Sequence, residues 1–250
     1  MRKLYIDANN ISKKKAVIKG QDAKHLIRVM RLAPGSRIEL CDGKGTDFKA
    51  EIETISSHIV TLKILEKFSS LSESPVHITF AQGMLKDKKM DMLIRHLTEL
   101  GISEWVPFFA ERSIPNPNPK RIRSRMERWK RIAKEALNQC GRSVVPHIGD
   151  PVQFQDLIKL YKTGYEKIIF WEKASCPIDA IREQDNKTMD RIIILIGPEG
   201  GLTENEVKSA EKTGFRTYTL GPRILRAETA SIAACSLVQN IFGDLGRKSP

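Results

Sequence analysis

Five apolar residues in succession, Ile192 to Ile196, run straight into Gly-Pro-Glu-Gly-Gly, and a helix-start signal follows at once. Thr203 and Glu206 form a T-x-x-E capping box, so a helix begins near Glu204 and runs to Gly214. The glycines therefore sit in a tight strand-to-helix turn. "KIIFWE" and "RTYTL" are two more strand-like runs in the last third, each followed by a loop. Apolar, β-branched runs alternating with helices predict an α/β domain whose parallel sheet is covered on both faces. Ligands of such sheets collect beyond the carboxyl ends of the strands, where "EKAS", "GPEGG" and "GPRILR" meet.

The chemistry of these loops excludes the common phosphate binders. Gly197, Gly200 and Gly201 permit close approach of backbone to a ligand, and Pro198 stiffens the turn. No lysine and hydroxyl follow as in G-x-x-x-x-G-K-[ST], the spacing is not G-x-G-x-x-G, and Glu199 would repel a phosphate. A ligand that is cationic, or that lacks phosphate, suits the acid. Two readings of Glu199 stand side by side: contact with the ligand, or a structural role, paired with an arginine such as Arg223 or bonded to the loop's own N–H groups. In "YTLGPRILRAETASIAACSLVQNIFG" a strand and a Gly-Pro turn again lead into a helix, with an apolar stripe of Ala230, Ala233, Ala234, Leu237, Val238 and Ile241. Glu228 suits the dipole at the start of that helix, whereas Arg226 is a cation where the dipole disfavours one.

The first seventy residues have another rhythm. Short alternating runs, a hairpin turn at Asp42–Gly45 and one helix, "QDAKHLIRVM", predict a small β-barrel or sandwich. In that helix Leu26, Ile27, Val29 and Met30 are expected to face inward. The polar stretch Ser69–Pro75 reads as a linker, giving domains 1–70 and 75–250. Beyond it come a strand in "VHITFAQ", a helix ending at Gly101, a strand in "EWVPFF", a loop in "IPNPNP", a long basic helix from Lys120 to Cys140 and a helix from about Val152 to Tyr161.

The 42 Lys and Arg against 30 Asp and Glu give a formal charge of +12, which points to a polyanionic partner, nucleic acid or ribosome, or else to a basic solvated surface. Four separated cysteines and five scattered histidines give no metal-site spacing, so no metal is expected. No apolar run reaches the roughly 20 residues of a membrane helix and no secretion signal is read at the start, so no membrane contact and a cytoplasmic location are expected.

"IGPEGGL" followed by "LGPRILRAETA" resembles the small-subunit ribosomal RNA uracil-N3-methyltransferases of the SPOUT superfamily. The likeness extends over most of the chain, through "HLIRVMRLAPG", "KKMDMLIRHLTELGI", "ERS" and "WKRIAKEALNQCGR". It departs at Arg95-His96-Leu97, where family members commonly carry Gln-Lys, so an RNA contact of that helix is altered. The resemblance implies a C-terminal SPOUT-type α/β domain with a deep trefoil knot, an N-terminal PUA-like RNA-binding β-barrel, S-adenosyl-L-methionine as methyl donor, and a homodimer. It places the cofactor against Phe170, Ile196, Gly197, Glu199, Gly200, Leu220, Gly221, Ile224, Leu225 and Arg226.

The implied reaction methylates a specific uridine at N3 in 16S ribosomal RNA of the small ribosomal subunit. It removes an imide proton and puts negative charge on the base, which a fixed cation stabilises. Arg226 is the expected stabiliser, with a phosphate clamp or a pair with Glu228 as its other readings, and Glu228 is the candidate for organising or accepting the proton. Arg2, Lys3, Arg28 and Arg31, with Arg112, Arg125 and Arg142, are the expected phosphate contacts. Two rival functions remain: a methyltransferase acting on another base or a ribose, and a non-catalytic ribosome-assembly factor.

Overall fold

The computed structural model describes residues 3–86, 88–114, 118–161, 163–181 and 190–247. The chain divides into two compact units, Met1–Glu73 with Leu137–Val145, and Ser74–Ala136 with Pro146–Pro250. The first boundary falls inside the Ser69–Pro75 stretch. A second excursion, residues 137–145, has no compositional mark and groups with the first unit through side-chain bonds described below.

The first unit is a five-stranded sheet in the order β1 (Lys3–Tyr5), β3 (Arg37–Cys41), β4 (Thr46–Ile55), β5 (Ile59–Ser69), β2 (Lys15–Lys19). β1 and β3 are parallel and the other neighbours antiparallel. Register shifts at Lys49/Ala50 and Ile52/Thr54 bend the long β4–β5 ribbon, as bulges do. Its alternate residues Phe48, Ala50, Ile52, Val60 and Leu62 join Ile38, Leu40, Ala16, Ile18 and Leu26 in one core. The expected helix over residues 21–30 differs: α1 (Gly20–Lys24) passes into a π turn at His25–Val29, and Arg31 takes a left-handed φ of 52°. The wider turn leaves Leu26 buried but turns Val29 out, 66% exposed, against the expected inward stripe.

In the second unit every strand pair is parallel. The order is β12 (Arg216–Tyr218), β10 (Glu166–Phe170), β11 (Arg191–Ile196), β6 (His77–Gly83), β7 (Glu104–Phe109), β8 (His147–Ile148), with β9 (Val152–Gln153) also on β7. The apolar run is the strand β11, between β10 and β6. Ile192, Ile194 and Ile196 enter the core on one face, with residues of α2 (Lys89–Glu99), α3 (Pro119–Cys140) and the last helix, while Ile193 and Leu195 enter the other, with residues of α4 (Phe154–Leu160) and α5 (Glu204–Glu211). Burial on both faces is why no residue of the run needs to be polar.

Several boundaries differ from the sequence expectation. α4 begins at Phe154, because Val152 and Gln153 pair with β7. α3 takes its first residue from the proline segment: Pro119 needs no N–H partner there, and Asn118 Oδ1 caps the start by accepting from the Arg121 N–H at 2.9 Å. Pro115–Pro117 of that segment lie outside the described residues. In α6 (Ala227–Ile241) the buried face is Ser231, Ala234, Cys235, Val238 and Gln239, rotated from the expected stripe, and Leu237 is 38% exposed. Two polar residues belong to that face because each finds a partner in the core: Ser231 donates to Gln82 Oε1 at 2.6 Å, and Gln239 donates to Leu100 O at 2.8 Å. Among the described residues no helix is long and apolar enough to cross a membrane.

Candidate active site

The carboxyl ends of β10, β11 and β12 open into a cleft of about 500 Å³, within the range of small-molecule sites. All ten residues assigned to the cofactor, Phe170, Ile196, Gly197, Glu199, Gly200, Leu220, Gly221, Ile224, Leu225 and Arg226, line it together with Glu228. Lys89, Trp171, Glu172, Thr219 and Arg223 line it as well.

The glycine loop is held from three sides. The capping box forms as expected: Thr203 Oγ1 accepts from the Glu206 N–H, and Glu206 Oε2 accepts from the Thr203 N–H at 2.9 Å. Glu206 Oε1 also accepts from the Glu111 N–H at 2.8 Å, joining the "ERS" turn to the start of α5. Arg112 Nη1 donates to Gly200 O at 3.1 Å, and a Cβ on Gly200 would meet Arg112 Cβ at 2.9 Å. Gly201 has φ of +69°, and a Cβ there would approach Glu172 Oε1 to 3.0 Å. Buried Gln82 donates to Gly197 O at 3.4 Å while holding Ser231 of α6, so one amide links two walls of the cleft.

The electrostatics centre on a residue that the sequence reading passed over. Lys89, first residue of α2, lies 3.0 Å from Glu199 Oε1 and 3.3 Å from Glu228 Oε2. The hydrogen bond to Glu199 raises its pKa, with burial opposing and Glu228 adding, so the ammonium stays charged. The partner of Glu199 is thus Lys89 and not Arg223. Glu228 is pushed up by burial, but its own backbone N–H, Lys89 and Arg226 outweigh this and hold it below the usual carboxylate range. Glu228 Oε2, 3.3 Å from the Lys89 ammonium, is buried and has no other hydrogen-bond donor among the described residues. Arg226, the N-cap residue of α6, is exposed and makes no ion pair among the described residues, so the expected alternative of a pair with Glu228 is not formed. The signal that marked Arg226, a cation against a helix dipole, was present at Lys89 too.

A family model for an RNA methyltransferase domain matches residues 72–239, and one for an RNA methyltransferase PUA domain matches residues 18–65. The chain belongs to the RNA methyltransferase family. Its relatives include ribosomal RNA small subunit methyltransferase E of Bacillus subtilis, 34% identical over 226 residues that cover 88% of each chain. The protein of the same name from Buchnera aphidicola (subspecies Acyrthosiphon pisum) is 31% identical, covering 90% of this chain and 87% of its own. Among solved structures, ribosomal RNA small subunit methyltransferase E from Neisseria gonorrhoeae, bound to S-adenosyl methionine, superposes with a TM-score of 0.87 at 31% identity. The match covers 98% of this chain and 99% of that one.

For an RNA methyltransferase the cations outside the cleft matter next, and two assignments are corrected. Lys3 Nζ is paired with buried Asp47 at 2.7 Å and donates to Ser143 Oγ at 2.8 Å; its side chain is 11% exposed. Arg142 is 5% exposed and grips Glu73 through Nε at 3.1 Å and Nη2 at 2.7 Å. Both are spent tying residues 137–145 to the first unit and are not free phosphate contacts. Arg28 and Arg31 are exposed, Arg112 is exposed while holding Gly200, and Arg125 is partly buried. Arg2 lies outside the described residues. Nor is a group of three or more His, Cys, Asp or Glu able to hold a metal found among the described residues.

Proposed function

We propose that this RNA methyltransferase transfers a methyl group from S-adenosylmethionine to N3 of a specific uridine in 16S ribosomal RNA of the small subunit. The observation that carries the reading is the cleft: three loops at the carboxyl ends of the parallel sheet, walled by apolar side chains, backbone and carboxylates. Glu172, Glu199 and Glu228 line it, Lys89 is balanced by two of them, and the exposed Arg223 and Arg226 complete its charged lining. Carboxylates beside apolar walls and close backbone suit a cationic sulfonium with an adenosine body. The names of the relatives, and the cofactor in the Neisseria gonorrhoeae structure, support the substrate and the donor.

Phe170, Ile196, Leu220, Ile224 and Leu225 supply apolar walls, and Gly197, Gly200 and Gly221 let the backbone close on the ligand. The cofactor supplies an electrophilic methyl group on sulfur. Arg226 faces the base and stabilises the negative charge that spreads over N3 and the flanking carbonyl oxygens as the imide proton leaves. Glu228, ionised at neutral pH, orders the N3–H side of the base, and the imide proton passes to its carboxylate or to water. Lys89 keeps Glu199 and Glu228 in place. Arg28 and Arg31 of the N-terminal unit guide the RNA by phosphate contact. The enzyme works as a homodimer with the trefoil-knotted domain implied by the resemblance, and the exposed Met92 and Leu237 on the helices α2 and α6 support an apolar subunit surface.

Radiolabelled methyl transfer to small ribosomal subunits, naked ribosomal RNA and transfer RNA, followed by nucleoside mass analysis, tests the reading. N3-methyluridine in the small-subunit RNA is expected. Label in another base or in ribose would move the target, and absence of both label and cofactor binding would leave only an RNA-binding protein. Arg226→Ala should lower turnover at saturating cofactor by about 10²–10³; near-normal turnover would remove Arg226 from the mechanism.

A further inference from the structure

A second cleft adjoins the first and shares Lys89 with it. It lies between the start of α2 and the middle of α3, lined by Lys88, Lys89, Asp91, Arg125, Arg128 and Trp129. Four cations face one acid, and the pairing among them is uneven. Lys89 is balanced by Glu199 and Glu228. Arg128 Nη2 lies 2.7 Å from Asp91 Oδ2, while Asp91 Oδ1 accepts from the Trp129 indole N–H at 3.1 Å, so Asp91 is committed. Lys88 and Arg125 have no carboxylate among the described residues, and Arg125 Nη1 is shielded from water with no acceptor. A guanidinium cannot shed its proton, so Arg125, lining the cleft without a carboxylate among the described residues, brings a permanent positive charge that an anion in the cleft balances. At the start of α2 the N-cap residue Lys88 makes no side-chain cap, and the first-turn acid Asp91 is committed to Arg128 and Trp129.

We infer that this second cleft seats a phosphodiester of the RNA strand that delivers the target base to the neighbouring methyl-transfer cleft. The inference rests on the RNA methyltransferase reading and adds a site to it. Forked guanidinium groups and an ammonium match the oxygens of a phosphate. Trp129 offers no platform for a base, being 1% exposed, packed edge-on against Trp105 at 5.0 Å and bonded through its N–H. The cleft therefore recognises backbone rather than sequence. Sharing Lys89 places the phosphate beside the reacting base, so the contact anchors the nucleotide as well as attracting the strand.

The test uses the full-length protein saturated with S-adenosylhomocysteine and a synthetic small-subunit RNA fragment centred on the methylated uridine. Binding is followed by fluorescence anisotropy over a series of salt concentrations, with single neutral methylphosphonate linkages placed around that uridine. The double variant Lys88→Gln/Arg125→Gln should bind about tenfold more weakly and lose roughly one unit of salt slope. One linkage should weaken the wild type and leave the variant unaffected, Arg125→Lys should restore part of the slope, and calorimetric cofactor affinity should stay within about twofold. Unchanged affinity and slope, or linkage effects equal in both proteins, overturns the site. A change in sedimentation mass of the variant also overturns it, by showing a subunit interface instead. Salt-dependent binding to ribosomal RNA that the variant weakens, with no N3-methyluridine formed by the wild type, sinks the methylation reading alone. N3-methyluridine formed normally, with the variant binding as well as the wild type, sinks the cleft alone.

Discussion

Gly83, the last residue of β6, shows how strictly the sheet fixes the Gly-Pro-Glu-Gly-Gly loop proposed to hold the cofactor. A Cβ built there would lie 2.4 Å from Pro198 N and 2.7 Å from Gly197 C, both backbone atoms. Carbon contacts relax near roughly 3.5 Å, so Gly83→Ala forces a separation of about 1 Å. β6 cannot yield easily: it is paired on both sides, to β11 and β7, and the next N–H, of Met84, donates to Phe108 O at 2.8 Å. The Gly-Pro-Glu-Gly-Gly loop moves instead. Overpacking of this kind destabilises by about 1–3 kcal/mol, and a shift of about 1 Å in a binding loop costs on the order of 10²-fold in function. Gly164→Ala is the control: its φ is +77°, nothing lies within 4 Å of the added carbon, and it does not line the cleft. That variant pays only backbone strain, about 1–2 kcal/mol. Thermal melting should therefore rank the two as similarly destabilised, while titration calorimetry with S-adenosylmethionine finds affinity lost only in Gly83→Ala. Equal affinity in the two variants would refute the claim that β6 sets the loop.

Three further outcomes are expected. Glu73→Ala should cost about 3–5 kcal/mol in urea unfolding, because it removes the carboxylate paired with buried Arg142 and also frees the Ser143 and Val144 N–H groups that Glu73 Oε1 now accepts at 2.6 and 3.0 Å; a loss under about 1 kcal/mol would mean that this segment is held elsewhere. Glu228 has a depressed pKa, so its contribution to stability is present above the ordinary carboxylate range and fades as the pH falls through the folded value. The melting-temperature gap between wild type and Glu228→Gln should accordingly shrink on acidification, and a widening gap contradicts the sign. Burial pushes the Cys41 thiol up to about 12, so peptide mapping after mild alkylation of the folded protein should find Cys41 unmodified and the exposed Cys140 labelled.

Local chemistry written in contiguous residues was legible in the chain. The apolar run of β11, the capping box of Thr203 and Glu206, and the glycines of the turn between them need only neighbours a few positions away, so a strand, a tight loop and a helix followed in that order. Their repetition was enough to anticipate a cleft beyond the carboxyl ends of a parallel sheet. What depends on distant partners was not legible. Lys3 and Arg142 read as surface charges because Asp47 and Glu73, 44 and 69 residues away, bury them only once the first unit has closed. Lys89 was not singled out, because its two carboxylates come from the distant Gly-Pro-Glu-Gly-Gly loop and the start of α6. Ser231 and Gln239 broke the expected apolar stripe of α6, since their hydrogen-bond partners, Gln82 and Leu100, lie 149 and 139 residues earlier. The sequence by itself determined which segments form strands, turns and helices, because propensity and capping are short-range. Only the tertiary structure decided which charges are spent on the fold and which face a ligand, because an ion pair depends on distance in space and not on spacing along the chain.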